Sequence, residues 1–406
     1  MEIVSIISTL RRNKVGSILI ALQIALTLAI VCNTLSIVHQ YVYRMQRPSG
    51  IDEPNTFTMQ NQWVGDPDDL AARIQADLAA LRSMPGVIGA QASSGFPLKG
   101  SGSSGGVSRH PDQHYADSWT IAEYFADEQG LDSFGTRLVS GRWFRPDEIG
   151  VQHSTDANSP ATIILTEALA RFLFPNGDAV GQVVYLASPA PTRVIGVVER
   201  VETPWAGLKH MDSFVERSVF LPYRYVNNGL WYIVRTQPGE QAVVMKAAQD
   251  RLYELTRSRI IDSVMPYSAI RQHIYARGRS SSLMLGALSA LLLAVTACGV
   301  VGLTSYRVAQ RRRQIGMRRA LGASRVDILR YFHAENLLVA GAGALLGIGL
   351  CQAANLWLAQ QLALTRVGLG YIGLGALIVL SLSQVAVLWP ALRAASIPPA
   401  IAARGL

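Results

Sequence analysis

The sequence predicts an α-helical membrane protein with four transmembrane helices and an α+β domain inserted after the first of them. Three observations predict it. Half of the 406 residues are hydrophobic and only 16% are charged, a balance rare in a soluble chain. The apolar residues are gathered into four runs, each meeting the ~20 residues that a bilayer-crossing helix needs. These are 15–40, 283–306, 336–358 and 369–390. Between the first two runs, 41–280 has ordinary soluble composition and is long enough for its own core.

Charge gives the orientation. The chain carries a net +9, which alone would suggest a nucleic-acid partner. Its distribution argues against one. The segment 41–280 holds 23 Lys and Arg against 25 Asp and Glu. The excess lies at the N-terminus, at the C-terminus and in the loop 307–332, so these are expected inside and 41–280 outside. Membrane lipids are expected partners; nucleic acid is not.

Residues 1–14 read as a short amphipathic lead, with Ile3, Ile6, Ile7 and Leu10 on one helical face and Arg11, Arg12 and Lys14 after them. An alternative is the fraying start of the first span. Gln23 and Asn33 within that span are expected to face another helix. His39, Tyr41, Tyr43 and Arg44 suit the outer interface, with helix as far as Gln46 before Pro48 and Gly50 stop it. Cys32, Cys298 and Cys351 all fall in spans and read as small packing residues. Val31 is a poor residue before a lipidated cysteine, so the first span is expected to stay as an uncleaved anchor.

The soluble segment opens with a βαβ pattern. Thr56–Gln60 is a strand. The run 66–69, DPDD, reads as an N-cap with Pro67 at the first helical position. Leu70, Ile74, Leu78 and Leu81 follow at helical spacing, Pro85-Gly86 ends the helix, and Val87–Ala92 is a strand. The pattern recurs as strand Trp231–Thr236, turn Pro238-Gly239, helix Glu240–Arg257 and strand Ile260–Val264. Two such units sharing one sheet give a ferredoxin-like lobe. Between them, about 122–225, lies a β-rich inserted lobe. It contains strands Thr162–Leu165, Val183–Leu186 and Val194–Val198 and the helix Glu167–Leu173. Gly95–Ser108, rich in Gly and Ser, reads as a flexible surface loop and a possible contact tip.

Chemistry is sparse. No GxxxxGK[ST] or HExxH occurs in the sequence. His110 and His114, near Asp112 and Asp117, lack the fixed spacing of a metal site and read as a solvated loop. No catalytic or metal residue is therefore assigned. Gly343 and Gly347 form a GxxxG pair that permits close helix packing. Glu335, at the inner edge of the third span, is expected to form an interfacial ion pair with Arg330.

The loop 307–332 carries eight arginines and one acid, Asp327. Gly322 can end a first helix, and Ser324 with Asp327 reads as a capping box opening the next. Its order QIGMRRALGAS, then DILRYFHAENLL and GALLG, resembles the FtsX/MacB permease family of ABC transporters. Four further stretches resemble that family's outer domain: GLDSFGTRLVSGRWFRPDE, ATIILTEALARFLFPNGDAVGQVV, RVIGVVERV and SVFLPY. In the first of these, Gly141, Arg142, Phe144 and Asp147 match.

The resemblance implies a non-catalytic, mechanotransmitting permease of the bacterial inner membrane, with both termini cytoplasmic. It implies a second permease chain, as homodimer or heterodimer, and an ABC ATPase that binds ATP and Mg2+. Since few residues precede the first span, the ATPase is expected on a separate chain. Carried over residue by residue, the coupling site comprises Arg313, Gln314, Ile315, Gly316, Arg318, Arg319, Ala320, Leu321, Gly322, Ala323 and Ser324. Efflux of an antibiotic, peptide or other periplasmic substrate, with an adaptor and an outer-membrane channel, is the first expected task. Lipoprotein release and control of cell-wall hydrolases are family alternatives. An ATP-independent sensor or scaffold is the alternative from another class.

Overall fold

A computed structural model describes residues 14–65, 67–111, 118–153, 156, 159–186, 188–206, 214–362 and 368–396. The expectations for the amphipathic lead, for His114 with Asp112 and Asp117, and for the C-terminal tail lie outside the described residues. The chain divides into a helical unit, 1–45 with 278–406, and an α+β unit, 46–277.

Among the described residues, four helices are long and apolar enough to cross a membrane. They are α1 (Lys14–Gln46), α6 (Tyr267–Gln310), α8 (Arg325–Leu362) and α9 (Leu369–Ala395), with the short α7 (Arg312–Ala320) between α6 and α8. The helix α6 runs unbroken for 44 residues, so it begins 16 residues before the apolar run 283–306. In the helical unit α1 is the element the others pack on. Ile20, Ile24, Leu28 and Cys32 recur every fourth residue, and all are buried. On one side Gln23 donates to the Val295 carbonyl of α6 at 3.1 Å, and the Thr27 and Thr296 hydroxyls are 2.8 Å apart. On another, α1 lies on the glycines of α8. A Cβ on Gly343 would come 2.6 Å from the Ala21 carbonyl oxygen, and one on Gly347 would come 2.8 Å from that of Ala25. The glycines thus let two backbones touch. Asn33 bonds within α1 to Ala29 and reaches Cys351 of α8. Cys32 and Cys351 are buried packing residues, but Cys298 is exposed on α6, contrary to expectation.

The α+β unit is built on a four-stranded sheet. Its strands are β1 (Thr56–Trp63), β2 (Val87–Ser93), β12 (Gly229–Thr236) and β13 (Arg259–Pro266), with α2 (Leu70–Arg82) and α5 (Gln241–Leu255) as crossovers. Strand order is β13-β1-β12-β2, with every pair antiparallel. This is the split βαβ arrangement expected from the repeated pattern. The start of α2 differs from expectation. The helix begins at Leu70, so Pro67 lies outside it, and Asp69 at the cap position binds Arg73 rather than capping with its side chain.

The insertion forms its own sheet. Its strands are β3 (Ser103–Val107), β4 (Trp119–Phe125), β5 (Leu138–Gly141), β7 (Thr162–Thr166), β8 (Val183–Tyr185), β9 (Pro191–Val198) and β10 (Ser218–Leu221). They run in the order β3-β4-β10-β7-β9-β5, with β8 added on β9. A parallel pair, β6 (Gly150–His153) and β11 (Tyr223–Val226), lies beside it. Two helices, α3 (Gly130–Phe134) and α4 (Glu167–Leu173), connect its strands. The Gly/Ser-rich stretch is not a free loop. Phe96 and Leu98 are buried, and Ser103–Val107 is an ordered strand paired with β4. A Cβ on Gly105 would press on the Glu123 carboxylate, so a larger residue there would have to displace that side chain.

One buried ion pair fastens α2 to the four-stranded sheet. Arg259 donates to both Asp77 oxygens at 2.6 and 2.9 Å, and the Tyr232 hydroxyl donates to Asp77 at 2.6 Å. Both charged side chains are 1% exposed, so losing one strands the other without water. Arg259→Leu is expected to destabilise the protein by about 3–5 kcal/mol. Thermal unfolding of the full chain in detergent checks this; an unchanged midpoint contradicts it.

Candidate functional site

The arginine-rich region between α6 and α8 is a helix, a tight turn and a capped helix start. The N–H of Ala323 donates to the Arg318 carbonyl at 3.0 Å, and that of Gly322 to Arg319 at 3.2 Å. This is a Schellman closure of α7, with Gly322 in the left-handed region at φ +98°. Ser324 then opens α8. Its N–H and hydroxyl both donate to the Asp327 carboxylate, at 2.9 and 2.7 Å, and the Asp327 N–H donates back to the Ser324 hydroxyl at 3.2 Å. The shorter Asp thus does the work of Glu in a capping box. Pre-set at both ends, the turn Leu321–Ser324 is held in one shape.

The faces of α7 differ. Ile315 and Gly316 are buried in the helical unit's core, with Ile328 and Phe332 of α8 also buried there. These two residues of the expected coupling site therefore position the helix instead of offering a surface. Arg313, Gln314, Arg318, Ala320, Leu321, Gly322 and Ser324 are exposed, while Arg319 and Ala323 are half-buried. Arg318 lies over the Tyr331 ring at 5.1 Å. Leu321 is 88% exposed and Met317 51%, so apolar side chains stand out among guanidinium groups.

Beneath this surface lies an ion network the sequence reading missed. Glu335 is 2% exposed. Its Oε1 accepts from Arg307 at 3.2 Å and its Oε2 from Arg311 at 3.0 Å. Arg307 also donates to the Ser17 hydroxyl of α1 at 2.8 Å. The expected Arg330–Glu335 pair is therefore corrected. Five residues apart on one helix, the two sit about 140° apart around its axis, and Arg330 is exposed. Arg307 near the end of α6 and Arg311 in the turn just after it, joined by the Arg311 N–H donating to the Arg307 carbonyl at 3.1 Å, meet Glu335 together. Their spacing was a usable signal; their partner across space was not. Nearby, His333 meets Gln384 of α9 at 2.8 Å, and Asn336 donates to Ser383 at 3.3 Å. One polar layer thus touches all four long helices. Among the described residues there is no His, Cys, Asp and Glu group that would hold a metal.

Four helices of membrane-crossing length joined to an α+β unit with its own core define an integral membrane protein with a large soluble domain. The chain belongs to the MacB-like and FtsX-like ABC transporter permease family. The MacB-like periplasmic core domain model matches residues 17–263, and the FtsX-like permease C-terminal model matches 286–399. The chain is 29% identical over 232 residues to a macrolide export ATP-binding/permease protein MacB of Rhodopseudomonas palustris, covering 55% of this chain and 33% of that one. It is 25% identical over 241 residues to the uncharacterized ABC transporter permease YvrN of Bacillus subtilis, covering 55% of each. The chain thus spans between a third and about half of these relatives' lengths. Among solved structures, the periplasmic region of MacB from Actinobacillus actinomycetemcomitans aligns with TM-score 0.32 at 20% identity, covering 57% of this chain and 97% of that one.

Two substitutions test the helical unit. Glycine to alanine at position 347 places a methyl group against the Ala25 backbone. Gly347→Ala is expected to cost about 1–3 kcal/mol, the range for overpacking a tight contact. Ser324→Ala removes the capping hydroxyl and should cost ~1 kcal/mol, confined to the start of α8. Thermal unfolding reads the first and amide hydrogen exchange at 324–328 the second; unaltered values in either contradict the assigned role.

Proposed function

We propose that this chain is the permease subunit of a mechanotransmitting ABC transporter, with α7 and its turn as the docking site for the ATPase. The observation that carries this is the surface around Leu321. A rigid turn presents a nearly fully exposed leucine among exposed arginines, and the buried face of the same helix is fixed to α8. Apolar anchors ringed by charge are the composition of a protein contact.

On this reading the loop side is cytoplasmic and the α+β unit periplasmic, in the bacterial inner membrane. Positive charge gathered at the loop supports that orientation. ATP and Mg2+ bind the ATPase, and closure of its dimer moves α7. Because α7 leads into α8, and Glu335 joins α8 to α6 and α1, the movement is passed to the helices whose chain continues into the periplasmic unit. The spans act as levers, so no solute path through them is required. A second permease chain completes the pair. The substrate is a periplasmic compound exported through an adaptor and an outer-membrane channel; the name of the MacB relatives supports an antibiotic-type cargo.

The test is purification of the tagged chain from its native membrane in mild detergent. A P-loop ATPase is expected to co-purify. Arg318→Glu with Arg319→Glu, and separately Leu321→Glu, are expected to reduce its recovery roughly tenfold or more, the scale of a lost anchor residue. The chain's own thermal unfolding should hardly change in Leu321→Glu, because that side chain is 88% exposed. Absence of any ATPase with the wild type, or full recovery with both variants, overturns the reading.

A further inference from the structure

Glu202, in the loop after β9, is buried with a cation near it but, among the described residues, no hydrogen bond to its carboxylate. Its side chain has no exposure, and neither carboxylate oxygen accepts a hydrogen bond. Among the described residues the nearest cation is Arg47, with Nε 3.6 Å from Oε1, beyond hydrogen-bonding reach. The adjoining Thr203 hydroxyl is also buried and unbonded. Other acids of this unit fare differently. Asp77 receives three hydrogen bonds. Glu53 takes Arg271 through both oxygens, at 2.6 and 2.7 Å, and the Ser49 hydroxyl at 2.6 Å.

The surroundings of Glu202 come from four parts of the chain. Arg47 and Ser49 follow α1, and Glu53 lies in the turn before β1. Tyr124 of β4 donates to the Glu202 carbonyl at 2.5 Å. Glu216, paired with Arg200 at 3.2 Å, adds negative charge. Tyr267 and Arg271 open α6. The backbone is drawn tight here. The Glu202 N–H donates to the Ser49 carbonyl at 2.9 Å, and Arg271 donates to the Arg47 carbonyl at 3.0 Å. Gly50, at φ +84°, sits so close to Arg200 that a Cβ would overlap its carbonyl. Arg47 and Arg271 lie on the two segments of chain that lead to the helical unit.

An ionised carboxylate enclosed in this way is strongly disfavoured, whereas the neutral acid is tolerated. We propose that Glu202 is a proton-operated latch: it stays protonated while 47–53, 200–206 and the first turns of α6 are packed together, and it releases its proton to solvent when they separate. Burial pushes the carboxyl up to about 8, against the pull of Arg47 and Arg271 and with some help from Glu216 and Glu53. Once exposed, it returns to the ordinary value near 4.5. The packed arrangement therefore holds the extra proton between these two values. Its stabilisation by that proton is complete below about 4.5 and is lost as pH rises through about 8. Acid closes the latch, alkali loosens it, and each opening near neutrality discharges a proton.

Amide hydrogen exchange of the full chain in nanodiscs, corrected for intrinsic exchange, tests this. In the wild type, protection of 46–53, 200–206 and 267–275 is expected to fall roughly tenfold or more between about pH 5 and about pH 9. Glu202→Gln, which cannot ionise, should keep the acid-level protection at the higher pH. Glu199→Gln, which removes an exposed carboxylate bonded to Arg137, should behave as wild type. Should Glu202→Gln fail to fold, Arg47→Met serves instead: without the nearest cation the transition moves to higher pH. Protection in the wild type that ignores pH, an unchanged pH response in Glu202→Gln, or a fixed midpoint in Arg47→Met overturns the proposal.

Discussion

Glu335 holds one negative charge away from water, and two arginines answer it. In such a place an ion must be paired and hydrogen-bonded or it destabilises everything around it. Because Arg307 lies on α6 and reaches on to Ser17 of α1, while Arg311 holds the turn that follows α6, three helices are fixed relative to each other by one carboxylate. The His333–Gln384 contact on the next face of α8 brings in α9. Packing within lipid gives little reason for helices to associate in one register, since the solvent is as apolar as the side chains. Polar contacts of this kind supply the register, and the glycines of α8 supply the closeness.

Those two devices share α1 between them. Gly343 and Gly347 let the α1 backbone lie against α8, while Gln23 and Thr27 hydrogen-bond it to α6. The helix is held on both flanks along its length and again at its Ser17 end. The rigid turn at Gly322 extends the same logic outward: with both of its ends hydrogen-bonded, any force on Leu321 is delivered to α8 instead of being absorbed by a soft loop.

Much of this was legible in the sequence, and the rest was not for identifiable reasons. Spans and crossover helices follow from hydropathy and period, and turns from Pro-Gly pairs such as Pro85-Gly86 and Pro238-Gly239, whose glycines do take positive φ. The Gly322 stop and the Ser324–Asp327 cap are local chemistry, so they could be read directly. Ser103–Val107 could not: a Gly/Ser run has no strand propensity, and its order comes from pairing with β4 and from burial, both non-local. The Glu335 partners failed for the same reason, as a residue 28 positions away is invisible to a reading along one helix. Glu202 gave no signal at all, since its enclosure depends on how four distant segments meet.

The insertion's position in the four-stranded sheet has an evolutionary consequence. It leaves the sheet at Ser93, the last residue of β2, and returns through β12, where Trp231 pairs directly with Ser93. Entry and exit are thus hydrogen-bonded neighbours, the geometry of a graft with both ends on one stem. A lineage could enlarge, trim or exchange the grafted lobe while leaving the parent sheet and its buried Asp77–Arg259 pair intact. Diversification of what such proteins handle would then be expected to concentrate in this lobe, with the stem and the helices changing far more slowly.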